Sequence, residues 1–310
     1  MHLIDWGIVL GLLACIVASA VYTQRYTRSV ADFLAANRSA GRYLLCIASG
    51  IAGMGAISII AFFEMYYEAG FTAIWWKDMM WMPLTLLIAL SGWIVYRFRE
   101  TRALTLAQFF EMRYGKRFRV FSGLAIWVSG IINFGIFPSV GARFFIHFCG
   151  LPMEVPGTGL PMYETVMFLL LAISLFFVFL GGQIAVMVTD FVQGMFTNVV
   201  FLIILAAIFF IFDWSQIIEI LSTAPAEDAS LLHPFQTNAH KGFNTWFFLI
   251  QVFTVVYGFH AWQGSQGYNC SAKSAHEAKM AGILGEWRAI IFTIVIMLLP
   301  IGAYVIMHHP

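Results

Sequence analysis

Apolar runs of about 20 residues, separated by short polar stretches, recur along the whole chain. Eight of them are long enough to cross a bilayer, at about 4–23, 43–65, 75–96, 120–148, 163–183, 184–212, 243–266 and 286–307. A spanning helix needs ~20 residues, so the pattern predicts an all-α membrane protein that crosses repeatedly. The first run opens with Asp5 rather than a basic cluster and has no clear A-x-A site, so it reads as a retained helix and not as a cleaved signal.

The second run is apolar but poorly helical in its middle. Gly50, Gly53 and Gly55, with Ser49 and Ser58 around them, fall at about the membrane centre. Each glycine costs a helix ~1 kcal/mol against alanine. Unpaired carbonyls in hydrocarbon are tolerated only where they line a cavity or meet a ligand. Two readings stand: small residues that let helices pack closely, or a helix broken at the midplane to form an ion site.

Composition agrees with the membrane assignment. The 310 residues are 61% hydrophobic and 11% charged, against ~25% charged in soluble proteins. With the amino terminus outside, fourteen of the 17 Lys and Arg fall in inner loops, leaving only Lys77, Arg143 and Lys241 outside. Positive loops mark the cytoplasmic side. The expected location is therefore the plasma membrane, multi-pass, with an extracytoplasmic amino terminus and the lipid bilayer as partner. A net charge of +1 offers no basic surface for nucleic acid. The four cysteines show no metal spacing and read as small buried residues.

Several positions stand out along the chain. Gly7 and Gly11 have G-x-x-x-G spacing, which predicts a packing helix. Phe33 and Leu34 give the first inner loop an amphipathic character suited to the headgroup surface. Glu64 and Glu68 form either an acidic mouth or a wet interface, and Trp75, Trp76 and Trp81 form an aromatic belt around the pair Lys77–Asp78. Thr105 and Gln108 have capping-box spacing and predict a short helix. Pro138 predicts a kink in the fourth span, and Arg143 is a candidate partner for Glu154. The loop 213–242 should hold a short helix around Ser215–Leu221. The seventh span is polar, with Gln251, Tyr257, His260, Gln263 and Gln266; His260 is either a hydrogen-bonded packing residue or a proton or substrate group.

The stretch from Arg97 to Arg119, R-x-R-E-T-x-A-L-T-L-A-Q-F-F-E-M-R-Y-G-K-R-F-R, resembles the linker between the third and fourth helices of the sodium:solute symporter family. A second motif from Gly181 to Gln193 is similar to that family's G-G-x-x-A-V-x-x-T-D-x-x-Q junction. A third, around Gln263 and Ala272-Lys273-Ser274, matches in part and departs at the family's Gln-Arg, where this chain has Gly267 and Tyr268.

The resemblance implies a leucine-transporter-like inverted-repeat fold in a single transporter domain over 1–310, truncated to about eight helices. Within it, 1–42 is an extra helix and inner loop, 43–212 a complete five-helix repeat, 213–242 an outer loop and 243–310 the start of the second repeat. It implies sodium as the coupling ion, held by the carbonyls of Ile51 and Met54 with Thr189 and Asp190 at the junction. A small organic solute would be met by Tyr67, Trp76, Lys77, Asp78, His260 and Gln263, and Lys77 hints at an anionic or zwitterionic one. The family's sodium-binding hydroxyls would lie beyond Pro310, so the chain is expected to be a fragment that binds sodium weakly or not at all. The alternative is a membrane sensory input domain related to the symporters. No H-E-x-x-H, G-x-G-D or G-x-S-G motif points to an enzyme.

Overall fold

The computed structural model describes residues 2–223, 230–237, 240–261 and 263–308, and all their side chains except those of residues 134, 259–261 and 263. These residues are helical almost throughout. The α-helices are α1 (Leu3–Thr23), α2 (Val30–Ala35), α3 (Arg42–Ala52), α4 (Ala56–Ser91), α5 (Val95–Glu100), α6 (Leu106–Tyr114), α7 (Lys116–Cys149), α8 (Met162–Ile211), α9 (Trp214–Thr223), α10 (Thr245–Ala261), α11 (Gln263–Ser271) and α12 (Ala275–His308). Among the described residues five helical runs are long and apolar enough to cross a membrane, four of them containing α1, α4, α7 and α8 and the fifth being α12.

Two of these helices are interrupted at a glycine. α4 leaves helical geometry at Gly70 (φ 54°, ψ −139°) and α8 at Gly182 (φ 53°, ψ −140°). The segments expected at 75–96 and 184–212 are therefore second limbs, joined to the runs before them through a residue only glycine suits. Both hinges are also crowded. A Cβ at Gly70 would lie 2.8 Å from the Leu231 carbonyl oxygen, and one at Gly182 would lie 2.5 Å from that of Phe33.

One compact unit comprises Met1–Ile57, Tyr96–Gly194 and Gln263–Ala281. It holds a buried cluster of Ala35, Phe98 and Cys270, with Leu104, Leu106 and Phe109 packed on it. The Thr105 hydroxyl accepts from the Gln108 N–H at 3.1 Å, and Gln108 reaches back to the Leu104 N–H at 2.7 Å, which starts α6 as its spacing predicts. Two of the sequence motifs meet here: buried Arg99 donates from Nε to the Ala272 carbonyl at 2.8 Å. The same segment pairs with Ala40, and Arg42 grips Glu277 with its guanidinium (2.5 Å) and its backbone N–H (2.8 Å).

Four expectations can be set against this unit. Phe33 sits over Gly182, so the first inner loop packs against the α8 hinge as well as offering an amphipathic face. Gly7 and Gly11 meet no other part of the chain within 4 Å of a built Cβ, so α1 makes no glycine-mediated packing among the described residues. α7 stays helical through Pro138, with Ser139 held to Tyr163 at 2.7 Å. Arg143 lies over the Tyr163 ring, 5.5 Å from its centroid, and forms no described ion pair with Glu154.

The other unit comprises Ser58–Val95, Met195–Trp262 and Gly282–Pro310. One apolar cluster joins Met65, Tyr66, Ala69, Ala73, Phe248 and Ile296; a second joins Ile217, Leu221, Leu231, Ile301 and Val305. The expected loop helix is α9, which buries Ile217 and Leu221. The loop after it covers the Gly70 hinge. Thr72 bonds the Ser230 carbonyl through its hydroxyl (2.6 Å) and that of Leu231 through its N–H (3.2 Å), and Trp76 Nε1 reaches Pro234 at 2.5 Å.

Candidate functional site

Glycine spacing produces the break in the second span. α3 ends at Ala52, Gly53 turns, Met54 and Gly55 are non-helical, and α4 restarts at Ala56. Close packing alone would have left one continuous helix. The Met54 N–H donates to the Ile51 carbonyl at 2.9 Å, which closes the turn.

Helix α8 passes directly against this helix end. A Cβ at Gly194 would lie 2.5 Å from Ile47 Cγ2 and 3.7 Å from Ile51 Cβ. Asp190 is one turn before Gly194, on the same face of α8. Thr189 is buried, and its hydroxyl donates to the Val186 carbonyl at 2.9 Å. The Asp190 carboxylate accepts a hydrogen bond from the Tyr268 hydroxyl on α11. Thus the break and the Thr-Asp junction lie on helices that touch, within one compact unit.

Of the expected solute residues, Lys77 and Asp78 form a closed triangle with Tyr66. Lys77 Nζ lies 2.9 Å from both the Tyr66 hydroxyl and Asp78 Oδ1, and the Tyr66 hydroxyl donates to Asp78 Oδ2 at 3.0 Å. The Lys77 ammonium also sits over the Phe62 ring, 4.6 Å from its centroid. Its charge is thereby met within α4, across the Gly70 hinge. Tyr67 turns elsewhere, onto Tyr304 (5.3 Å between ring centroids) and Met307. Trp76 stacks on Phe248 and holds the loop, so neither residue joins the triangle. The side chains of His260 and Gln263 lie outside the described residues.

Sequence reasoning missed Tyr66, Tyr268 and Gln183. Nothing distinguishes Tyr66 from Tyr67 in sequence. The departure at Gly267-Tyr268 was a usable signal: a Cβ at 267 would lie 2.8 Å from Gln183 Oε1, so this glycine makes room for a glutamine from the Gly-Gly motif.

Membrane-length helices among the described residues, one run of them broken in mid-span beside the half-buried Asp190, make this an all-α membrane protein of the leucine-transporter-like fold. A Na+-coupled sialic acid symporter, solved in a substrate-bound outward-open state that reveals a novel Na+ site, has the same fold. Its TM-score is 0.80 at 18% identity, over 98% of this chain and 61% of that one. The chain belongs to the sodium:solute symporter family, which it matches over residues 33–309. A sodium/proline symporter of Staphylococcus aureus is 25% identical over 189 residues, and its counterpart in strain JH9 gives the same figures. Those matches span 54% of this chain and 32% of the relatives.

Proposed function

We propose that this chain takes part in sodium-coupled symport of a small organic solute by alternating access. The break between Ile51 and Met54 carries the proposal, because it frees backbone carbonyls inside an apolar span, where a cation is the natural partner. In this reading the carbonyls of Ile51 and Met54 hold sodium, while Thr189 and Asp190, on the helix packed against them, assist coupling or gating. The solute site draws on Tyr67, Trp76, Lys77, Asp78, His260 and Gln263. Proline and sialic acid, the solutes named for the relatives, both carry a carboxylate, which suits Lys77 exchanging Asp78 for an anionic or zwitterionic solute. The excess of Lys and Arg in alternate loops favours an extracytoplasmic amino terminus.

The relatives extend well beyond the matched part. We take the remaining sodium ligands to come from that part, so the 310-residue chain alone binds sodium weakly. Thermal unfolding in detergent, in sodium against potassium chloride at equal ionic strength, tests the ligands. A small sodium-specific rise in Tm is expected, lost in Asp190→Asn and reduced in Thr189→Ala; equal shifts in the two salts would sink the assignment. Proteoliposome uptake of proline and sialic acid tests completeness, and saturable sodium-driven uptake by this chain alone would overturn the idea of a partial site.

A further inference from the structure

Glu286 is a carboxylate within an apolar helix that nothing above uses. It lies on α12, with Oε2 2.9 Å from Thr85 Oγ1 on the second limb of α4. Thr85 stands about ten residues, or ~15 Å of helix, from either end of the apolar segment 75–96, and Glu286, the first residue of the apolar segment 286–307, lies eleven residues past the start of the long helix α12. Gly282, one turn before Glu286, lies beside Ala89 on the second limb of α4, where an added Cβ would make an ordinary contact at 3.6 Å.

The Thr85 hydroxyl has a second neighbour, the Met82 carbonyl at 3.1 Å. Its single hydrogen serves one of the two at a time. With Glu286 ionised, Thr85 donates to the carboxylate. With Glu286 protonated, the carboxyl donates to the Thr85 oxygen and Thr85 donates to Met82. The same heavy-atom positions therefore satisfy both protonation states. A group that takes up and releases a proton without repacking needs this property.

Among the described residues no ion pair gives Glu286 a counter-charge. A carboxylate held permanently ionised in an apolar span needs a cationic partner, and none of the described ion pairs includes Glu286. Lys77 and Asp78, on the same limb as Thr85 and about two turns away, satisfy each other. The 195–211 part of α8 carries no charged residue, and the described side chains of α10 include none. α9 meets α12 near Ile301 and Val305, about four turns further on. On α12 itself, Arg288 is two positions from Glu286, about 200° round the helix; it forms no described ion pair with Glu286, and its buried Nε has no hydrogen-bond partner among the described residues.

We propose that Glu286, with the Thr85 hydroxyl and the Met82 carbonyl, is an intramembrane proton-binding site, separate from the sodium ligands. Infrared difference spectra of the full chain in lipid nanodiscs, between about pH 5 and pH 9, test it. A protonated-carboxyl band should fade as pH rises, vanish in Glu286→Gln, and shift in frequency in Thr85→Val, which removes the hydroxyl at nearly constant shape. A wild-type chain with no titrating band, or a band unchanged in Glu286→Gln, overturns the proposal. Circular dichroism reports whether the variants keep their helices. If Glu286→Gln does not, Glu286→Asp replaces it: a moved titration midpoint supports the site, and an unmoved one overturns it.

Discussion

Tyr268 donates its phenolic hydrogen to the carboxylate of Asp190, tying α11 to the second limb of α8 across 78 residues of chain. The family motif has Gln-Arg where this chain has Gly267-Tyr268, so a neutral phenol stands where a guanidinium would otherwise be. Tyr268→Phe leaves a half-buried acceptor without its donor, at a cost of about 1–3 kcal/mol. Asp190→Asn should cost less, and the double variant less than the sum of the two. Chemical or thermal unfolding measures this; strictly additive losses would mean that the bond contributes nothing.

The Gly182 hinge combines a left-handed φ with a carbonyl 2.5 Å from any added Cβ. Gly182→Ala should lose about 2–4 kcal/mol from backbone strain and overpacking together, and so reduce the yield of folded protein. Gly123→Ala, on α7, meets nothing within 4 Å and should be neutral or stabilising by up to about 1 kcal/mol. Size-exclusion profiles and Tm of the two variants make the comparison.

Removing one member of the Lys77–Asp78 pair strands the other in an apolar setting. Lys77→Met or Asp78→Leu should each cost about 3–5 kcal/mol, and the double replacement much less. If Lys77 also receives solute, the double variant keeps its Tm but loses solute binding. Isothermal titration with proline and sialic acid separates the two effects, and retained binding in the double variant would remove Lys77 from the solute site.

Asp32, in the short loop helix α2, accepts from the Ser29 hydroxyl (2.8 Å) and the Arg28 N–H (3.0 Å). The Ser29 hydroxyl first, then the Arg28 N–H, hold its carboxyl below the usual range for aspartate. A depressed folded value means the stabilisation is present above the unfolded pKa of about 4 and is lost as pH falls through the lower folded value. Ser29→Ala should lower Tm at neutral pH, with the gap to the wild-type chain closing in acid. A gap constant with pH would show that the cap, and not the carboxylate, carries the effect.

The sequence alone determined the all-helical membrane class, the break at Gly53–Gly55, the α6 cap and α9. Each depends on local periodicity or on backbone groups within a few residues of one another, and hydrocarbon enforces those rules strictly. The motif stretches also identified the family, because they carry residues that later meet, as Arg99 meets Ala272. Tertiary structure decided the partners: Tyr268 for Asp190, Tyr66 rather than Tyr67 beside Lys77, Gln183 in the space left by Gly267, and Thr85 for Glu286 across 201 residues. A side chain's chemistry fixes what it can bond. Only the packing of helices distant in sequence fixes which of several suitable groups comes within 3 Å.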